Sequence, residues 1–248
     1  MALLSKKNKP SQKAYAVVTG AGSGIGRSFA LELAKRGGDV ICADIDLSSA
    51  QETVDLIQSM TSTSAYAVHC DVGLKESVHT LAEQAEQLLG YPVTLLINNA
   101  GVGLGGKFDE VSLEDWQWCM HVNLWGVIHG CHYFVPKFKQ QGFGAIINVA
   151  SAAGYTAAPE MTAYNVTKSS VLALSETLAS ELHAYNIAVN VLCPTLVPTN
   201  IMKNGRLPSR YSGLADKLLM NHAFTTSDAV VKKTLNRLDA GKLYTIPQ

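Results

Sequence analysis

The chain has 248 residues, a length that suits one large domain or two small ones. Apolar residues make up 47% of the chain and charged residues 16%, which allows a large buried core. Lys and Arg together number 20, and so do Asp and Glu. The chain therefore lacks the basic excess with which nucleic-acid-binding proteins meet phosphates, and we expect no nucleic-acid partner.

The N-terminus does not resemble a targeting segment. Only three apolar residues follow Met1 before the lysines begin, which is too few for the core of a signal peptide. No apolar run in the sequence reaches the length that crosses a bilayer. We expect residues 1–13 to form a flexible tail, residues 14–248 to form the folded domain, and the protein to be cytoplasmic without a membrane span.

Seven short apolar runs are predicted to be strands. They are rich in Val and Ile and do not alternate strictly between apolar and polar residues, which is typical of parallel strands covered by helices on both faces. The predicted strands are 14–19, 39–43, 65–70, 93–98, 145–150, 187–193 and 242–246.

Segments of helix length separate the strands, and some carry signals for a helix start. Three pairs resemble capping boxes: Ser48 with Gln51, Ser112 with Asp115, and Thr225 with Asp228. The repeated order of strand, helix and strand predicts one open, doubly wound α/β sheet.

A glycine-rich stretch, TGAGSGIGR at 19–27, follows the first predicted strand. Gly20, Gly24 and Gly26 stand where the strand must turn into a helix, predicted from about Ile25 to Arg36. The first N–H groups of such a helix and the positive end of its dipole favour a pyrophosphate. On its own, the motif also fits an ordinary tight turn.

Asp44 ends the second predicted strand, 18 residues beyond Gly26, close to the spacing of a carboxylate that binds ribose hydroxyls. Such a carboxylate repels the 2′-phosphate of NADP. The neighbouring positions are not basic: Ser23, Ala43 and Ile45. Arg27 is expected to point along its own helix. The pattern favours NAD over NADP.

Cysteines and histidines give no sign of a metal site. The five cysteines are odd in number and form no C-x-x-C spacing, so we expect buried thiols in a reducing compartment. His129 and His132 lie three residues apart but have no acidic or cysteine partner at ligand spacing. We expect no metal.

From residue 14 to about 246 the chain resembles the short-chain dehydrogenase/reductase family. The motifs occur in order as TGAGSGIG (19–26), CDV (70–72), NNAG (98–101), HVNLWG (121–126), NVASAAG (148–154), YNVTK (164–168) and PTLVPT (194–199). The ordered set carries the resemblance, since each motif alone is weak. It implies a single Rossmann-type domain with a seven-stranded parallel sheet in the order 3-2-1-4-5-6-7 and helices on both faces.

The resemblance also implies a binding site for the cofactor. Its expected members are Gly20, Ser23, Gly24, Ile25, Gly26, Asp44, Asp71, Val72, Asn99, Ala100, Gly101, Val122, Tyr164, Lys168, Pro194, Thr195, Val197 and Thr199. Within this set Asp71 and Val72 would hold the adenine, residues 99–101 would lie along the riboses, and residues 194–199 would meet the nicotinamide. Thr195 departs from the family, which usually has glycine after this proline, so the shape of the nicotinamide pocket is open.

Four residues resemble the catalytic set of the family: Asn123, Ser151, Tyr164 and Lys168. Taken alone, the YNVTK stretch also fits an ordinary helix turn with Tyr164 packed and Lys168 solvated. On a helix the two side chains share a face, so we expect the ammonium, together with an oxidised nicotinamide, to lower the tyrosine pKa. Ser151 would orient the substrate oxygen, and Asn123 would hold a water that connects Lys168 to solvent.

Residues 195–222 correspond to the variable substrate lid of the family. An apolar stripe at helical spacing is formed by Leu207, Tyr211, Leu214 and Leu218, with Ile201, Met202, Leu219 and Met220 nearby. The stripe either packs the lid onto its own body or lines a pocket for an apolar substrate. Four basic residues keep an anionic substrate open: Lys203, Arg206, Arg210 and Lys217.

The resemblance implies an NAD-dependent alcohol dehydrogenase or carbonyl reductase that acts on a secondary alcohol or ketone, with Tyr164 as general acid and base. One alternative is an NADP-dependent reductase of 3-oxoacyl thioesters, against which Asp44 argues. Another is a dinucleotide-binding sensor without turnover, against which the catalytic-type residues argue. Hydrolysis through Ser151 is disfavoured because no G-x-S-x-G elbow is present.

Two further expectations concern assembly and the chain end. Segments 112–139 and 162–184 carry more apolar surface than one sheet face covers, and family members commonly pair these helices, so we expect a homodimer or homotetramer. The Asp-Gly-Gly ending common in the family does not occur before Gln248, which is consistent with a missing C-terminal tail.

Overall fold

One parallel sheet organises the fold in the computed structural model, which describes residues 9–195, 197, 201, 205–208 and 225–247. Its strands are β1 (Tyr15–Thr19), β2 (Asp39–Asp44), β3 (Ala65–His69), β4 (Leu95–Asn98), β5 (Gly144–Val149), β6 (Ile187–Leu192) and β7 (Tyr244–Thr245). They lie in the order β3-β2-β1-β4-β5-β6-β7, and each neighbouring pair is parallel. The predicted fold class and strand order are confirmed.

Helices cover both faces of the sheet. They are α1 (Gly24–Lys35), α2 (Leu47–Met60), α3 (Lys75–Leu89), α4 (Leu113–Met120), α5 (Gly126–Gln141), α6 (Thr162–Leu182) and α7 (Ser227–Asp239). Residues 121–125 form a π-helical turn between α4 and α5, so the segment predicted as one long run over 112–139 is interrupted. Short 3-10 turns lie at 152–154 and 183–185.

Two apolar clusters hold the helices to the sheet. One joins α3, α5 and α6 to the face that carries Val17 of β1, and the other joins α1, α2 and α7 to the face that carries Val18. Because successive strand side chains point to opposite faces, strands covered on both sides need apolar residues at nearly every position. This is why the runs of Val and Ile do not alternate with polar residues.

Of the three predicted helix starts, only the one at Ser112 is confirmed. The Ser112 hydroxyl accepts from the Asp115 N–H at 3.1 Å and caps α4. The cap of α2 is Asp46, whose carboxylate accepts from the Ser48 N–H at 3.0 Å, so Ser48 lies inside the helix. The cap of α7 is Thr226 instead of Thr225, again because the side chain just before the first helical turn reaches the free N–H groups.

The flexible tail predicted for residues 1–13 is wrong for residues 9–13. Ser11 is fully buried, and its hydroxyl donates to the Asp239 carboxylate at 2.7 Å. Arg36 donates to the same hydroxyl at 2.7 Å, so a network joins the start of the chain to α1 and α7. Residues 1–8 lie outside the described residues.

Two expectations from the sequence, on the cysteines and on membrane spans, can be compared with the structure. All five cysteines are free and buried, as predicted. Within the ranges that the structure describes, none of the helices combines the length and apolar character needed to span a bilayer.

Candidate functional site

The turn between β1 and α1 depends on glycine at two positions. Gly20 has a φ of +64°, and a Cβ there would lie 2.8 Å from the Ala100 Cα. A Cβ on Gly26 would lie 2.0 Å from the Gly20 carbonyl oxygen. Side chains at these positions would force α1 and the loop after β4 away from the turn. Gly26 therefore packs behind the turn and does not line the cavity described below.

The first turn of α1 is open to a ligand. Ser23 precedes the helix in an extended conformation, but its side chain makes no capping hydrogen bond. The first N–H groups of a helix have no partner within the helix, and their partial positive charge favours an anion. Ser23 and Gly24, which form this end of α1, both line the cavity described below.

Asp44 ends β2 beside the glycine turn. One carboxylate oxygen accepts from the Gly22 N–H at 2.8 Å and the other from the Asp46 N–H at 3.0 Å. These bonds fix the carboxylate while its remaining lone pairs can accept from a ligand. The strand end and the turn are thus held together as one site.

Arg27 does not point along its own helix, as the sequence suggested. Its guanidinium donates to the Gly22 carbonyl, contacts Glu52 of α2 at 2.9 Å and donates to the Thr53 hydroxyl at 3.0 Å. The partners of this cation are therefore supplied by the turn and α2.

Thr19 connects the turn to the end of β4, a role that the sequence analysis missed. Its buried hydroxyl accepts from the Asn99 N–H at 3.0 Å and the Ala100 N–H at 3.1 Å. Asn99 in turn donates from its amide to the Thr19 carbonyl at 2.9 Å. Residues of the NNAG motif are held against the glycine turn in this way.

A cavity of about 990 Å³ opens at the carboxyl ends of the strands and collects the predicted site residues. The predicted cofactor residues that line it are Gly20, Ser23, Gly24, Ile25, Asp44, Asp71, Val72, Asn99, Ala100, Gly101, Val122, Tyr164, Lys168, Pro194, Thr195 and Val197. Ser151 lines the same cavity. Of the predicted set, Gly26 and Asn123 lie behind the wall, and Thr199 lies outside the described residues.

Tyr164 and Lys168 share one face of α6 and are both buried, at 8% and 2% exposure. The Lys168 ammonium lies 5.7 Å from the centroid of the Tyr164 ring and donates to the Val149 carbonyl at 3.0 Å. The pair is therefore not an ordinary helix turn with a solvated lysine.

Burial controls the ionisation of this pair. It raises the pKa of Tyr164 to about 12, against an opposing hydrogen bond from the Ser151 side chain. It lowers the pKa of Lys168 to about 8. In the protein alone, burial thus dominates the tyrosine pKa, and the lowering expected from Lys168 together with an oxidised nicotinamide stays a prediction.

Ser151 reaches Tyr164 from the end of β5. Its hydroxyl accepts from the Ala153 N–H at 3.1 Å, which fixes the side chain at the start of a 3-10 turn. The 12 residues between Ser151 and Tyr164 thus return the chain so that both side chains line the cavity.

Asn123 lies fully buried in the π-helical turn. Its side-chain oxygen accepts from the Val102 N–H at 2.7 Å, and its amide donates to the Val102 carbonyl at 2.9 Å. A Cβ placed on Gly101 would lie 3.2 Å from the Asn123 oxygen and 3.5 Å from the Lys168 nitrogen. Asn123 and Lys168 therefore meet around Gly101, and the water expected between Lys168 and solvent stays a prediction.

The far end of the cavity is largely apolar and was mostly missed from sequence. Its walls include Val102, Gly105, Trp118, Thr156, Ala158, Pro159, Glu160, Met161, Ile201 and Leu207. Of these, only Ile201 and Leu207 belong to the predicted apolar stripe, whose other members lie outside the described residues. The glycines of the 103–106 stretch were the available signal, because they let several chain segments approach closely.

A model of the short chain dehydrogenase family matches residues 14–208. The chain belongs to the short-chain dehydrogenase/reductase family. This is a family of oxidoreductases, and the seven-stranded sheet and the ordered motifs described above agree with it.

Among relatives in this family, cyclohexanol dehydrogenase of an Acinetobacter strain is 36% identical over 196 residues, which covers 79% of this chain and 77% of that one. A short-chain dehydrogenase/reductase from Burkholderia phymatum, solved with NAD, is 34% identical with a TM-score of 0.88, covering 96% of this chain and 89% of its own. A Sphingobium yanoikuyae member, solved with NADPH, is 25% identical with a TM-score of 0.83, covering 94% and 87%. The chain spans 31% of the length of several mycobacterial relatives that it matches.

The residues of this family member fit a dinucleotide. A Cβ on Gly22 would come within 2.8 Å of the Asp44 carboxylate, so a bare backbone and a fixed carboxylate lie side by side. The uncapped start of α1 adds N–H donors to the same cavity. Together they provide groups suited to phosphate and ribose hydroxyls.

The described residues offer no comparable case for a metal. Within the described ranges, no group of three or more His, Cys, Asp and Glu side chains could hold an ion. His129 lies 3.0 Å from the Val72 carbonyl through its ring nitrogen, which accounts for one member of the pair noted in the sequence. The expectation that the protein binds no metal stays a prediction.

Proposed function

We propose that the protein is an NAD-dependent oxidoreductase that interconverts a neutral, apolar secondary alcohol and its ketone. The observation that carries this proposal is the convergence of Ser151, Tyr164 and Lys168 on one cavity, with Asp44 and the glycine turn lining the same cavity. The dinucleotide would be held by the start of α1, by Asp44 and by the strand-end residues listed above. When bound, it supplies or accepts the hydride.

Tyr164 handles the proton at the substrate oxygen. Because burial raises its pKa to about 12, the phenol keeps its proton at neutral pH and can donate it to a ketone oxygen. The Ser151 side chain lowers the pKa of the phenol, against the effect of burial, and would hold the same substrate oxygen. Lys168 lies next to Tyr164, on the side of Asn123, and is the group through which the proton of Tyr164 would be restored.

The proposed preference for NAD rests on charge. Asp44 is fixed by two backbone N–H groups, and its negative charge opposes a 2′-phosphate. Arg27, a cation beside the turn, is bound to Glu52 and to the Gly22 carbonyl. The complex of the Burkholderia relative with NAD supports this choice, and that of the Sphingobium relative with NADPH is the reason to test it.

The proposed substrate class rests on the walls of the far end. Trp118, Met161 and Leu207 supply apolar surface there, and burying such groups is worth roughly 1.5–3 kcal/mol each. Of the basic residues that kept an anionic substrate open, Arg206 is paired with Asp115 and does not line the cavity, and the other three lie outside the described residues. The name of the Acinetobacter relative, cyclohexanol dehydrogenase, supports a bulky neutral alcohol.

Initial rates with NAD and NADP across a panel of alcohols test this proposal. The panel should hold straight-chain, cyclic and aromatic secondary alcohols, together with hydroxy acids and a 3-hydroxyacyl thioester. We expect the highest kcat/KM for NAD with a bulky neutral alcohol. A preference for the thioester with NADP would support the alternative reductase, and dinucleotide binding without turnover of any member would support a sensor.

A further inference from the structure

Residues 205–208 are joined to the loop that follows β4. Arg206 donates its backbone N–H to the Gly103 carbonyl at 3.0 Å and accepts from the Gly105 N–H at 3.1 Å, forming an isolated parallel bridge. A Cβ on Gly205 would lie 2.7 Å from the Gly103 carbonyl oxygen. The two backbones therefore lie as close as neighbouring strands, but only over this short stretch.

The side chain of Arg206 adds two contacts to α4. Its guanidinium lies 4.1 Å from the centroid of the Trp118 ring, which is a cation–π arrangement. It also forms an ion pair with Asp115, which is three residues before Trp118 and so lies on the same face of the helix. A planar guanidinium can stack on a ring and bond a carboxylate at once, which an ammonium does less well.

These contacts lie directly behind the wall of the cavity. Trp118 and Leu207 line the far end, whereas Arg206 does not. Leu207 packs tightly against the loop after β4, since a Cβ on Gly105 would lie 2.8 Å from a Leu207 methyl carbon. Arg206 thus connects Trp118, whose ring its guanidinium contacts, to Leu207, which is its neighbour in the chain.

We propose that Arg206 is a positioning residue that sets substrate size preference. Clamped between Trp118 and Asp115, it fixes Leu207 in the apolar wall, so that a bulky substrate meets a formed surface. This inference rests on the proposed function of the cavity. Pairing with Asp115 already satisfies the charge of Arg206, so it acts on the substrate through Leu207 and not by binding an anion.

The test compares four variants of the full chain: R206Q, R206K, D115N and, as a control that removes a positive charge from an exposed position of α7, K233Q. For each, kcat/KM is measured with 2-propanol and with 1-phenylethanol, and NADH binding is measured by fluorescence. In R206Q we expect the ratio of the large to the small substrate to fall on the order of fivefold, with NADH binding unchanged. R206K should retain more of the ratio, D115N should lower it, and K233Q should leave it unchanged.

Combining R206Q with D115N should lower the substrate ratio little further than R206Q alone, because the two residues act through one contact. An unchanged ratio in R206Q, or an equal loss for both alcohols, overturns the positioning role.

Hydrogen exchange at the Gly105 amide separates this inference from the proposed function. That amide donates to Arg206 and keeps its own sequence neighbours in all the variants. We expect it to exchange about fivefold faster in R206Q and D115N than in wild type and K233Q. If no alcohol is turned over, the proposed function fails, and the exchange rates alone decide the anchoring. Equal exchange rates in R206Q, D115N, wild type and K233Q refute the anchoring by Arg206.

Discussion

Replacing Asp44 should change which dinucleotide the protein prefers. The carboxylate accepts from the Gly22 and Asp46 N–H groups, so it is already oriented before a ligand arrives. Hydrogen bonds to charged groups contribute about 1.5–3 kcal/mol each, so losing one ribose contact in D44A should weaken NADH binding about 10-fold to 150-fold. The loss falls on binding, because the reacting groups lie at the other end of the cavity.

The same change should relieve repulsion of the 2′-phosphate. Two unit charges 4 Å apart interact by about 4 kcal/mol at an effective dielectric of 20, and solvent at a half-exposed site lowers this further. We therefore expect NADPH binding to improve at least about threefold in D44A. D44N should fall between wild type and D44A for NADH, because an amide keeps one acceptor oxygen but cannot accept from both N–H groups.

Fluorescence titration with NADH and NADPH measures both effects, and kcat/KM with the two oxidised cofactors checks them under turnover. D55N is the matched control, since it removes one negative charge from an exposed position of α2. If the wild type binds NADPH more tightly, or if D44A leaves the NADH to NADPH ratio within twofold of wild type, the charge argument fails.

Three further predictions follow from the fold and the site. Burial lowers the Lys168 pKa to about 8 from an unfolded value near 10.5, so between these values the unfolded state holds more protons and stability rises with pH. In urea unfolding, K168M should therefore gain the most stability over wild type at pH 7, with the gain shrinking towards pH 10. A stability gain that does not depend on pH contradicts this. S11A should lower the free energy of unfolding by about 1–3 kcal/mol, since it leaves Asp239 and Arg36 without their shared buried partner. S170A, at a half-buried α6 position whose hydroxyl donates within its own helix, should change it by less than about 0.5 kcal/mol, and equal effects would refute the network. Light scattering should show a homodimer or homotetramer, because Leu113, Trp125 and Val166 leave apolar surface exposed on the segments expected to pair, and a monomer at working concentration would overturn that expectation.

Local patterns were sufficient for the strands, the glycine turn and Asp44, and the family resemblance supplied most of the other cavity residues. Parallel strands buried on both faces have a distinct composition, and short motifs at strand ends fall together at one edge of a parallel sheet. That is why residues as distant as Gly20, Asp71 and Tyr164 line one cavity.

What failed depended on contacts between distant segments. Ser11 is held by Asp239, which lies 228 residues away, and no local pattern reports such a partner. Arg27 turns away from its own helix because α2 supplies Glu52 and Thr53. Burial, a property of the finished fold, raises the tyrosine pKa, and no local pattern reports it. The place of Trp118 in the wall was likewise missed, because it depends on the contact with Arg206, which lies 88 residues further along the chain.

The most direct test of the central claim is single-turnover reduction of a ketone by Y164F, compared with wild type and with the control Y185F, which alters an exposed tyrosine. Rapid mixing of enzyme, NADH and ketone follows the loss of NADH absorbance, while NADH fluorescence checks binding separately. If Tyr164 donates the proton, Y164F should bind NADH within about twofold of wild type and reduce the ketone at least about 100-fold more slowly, with Y185F unchanged. A rate in Y164F within tenfold of wild type would contradict the assignment of Tyr164 as the acid.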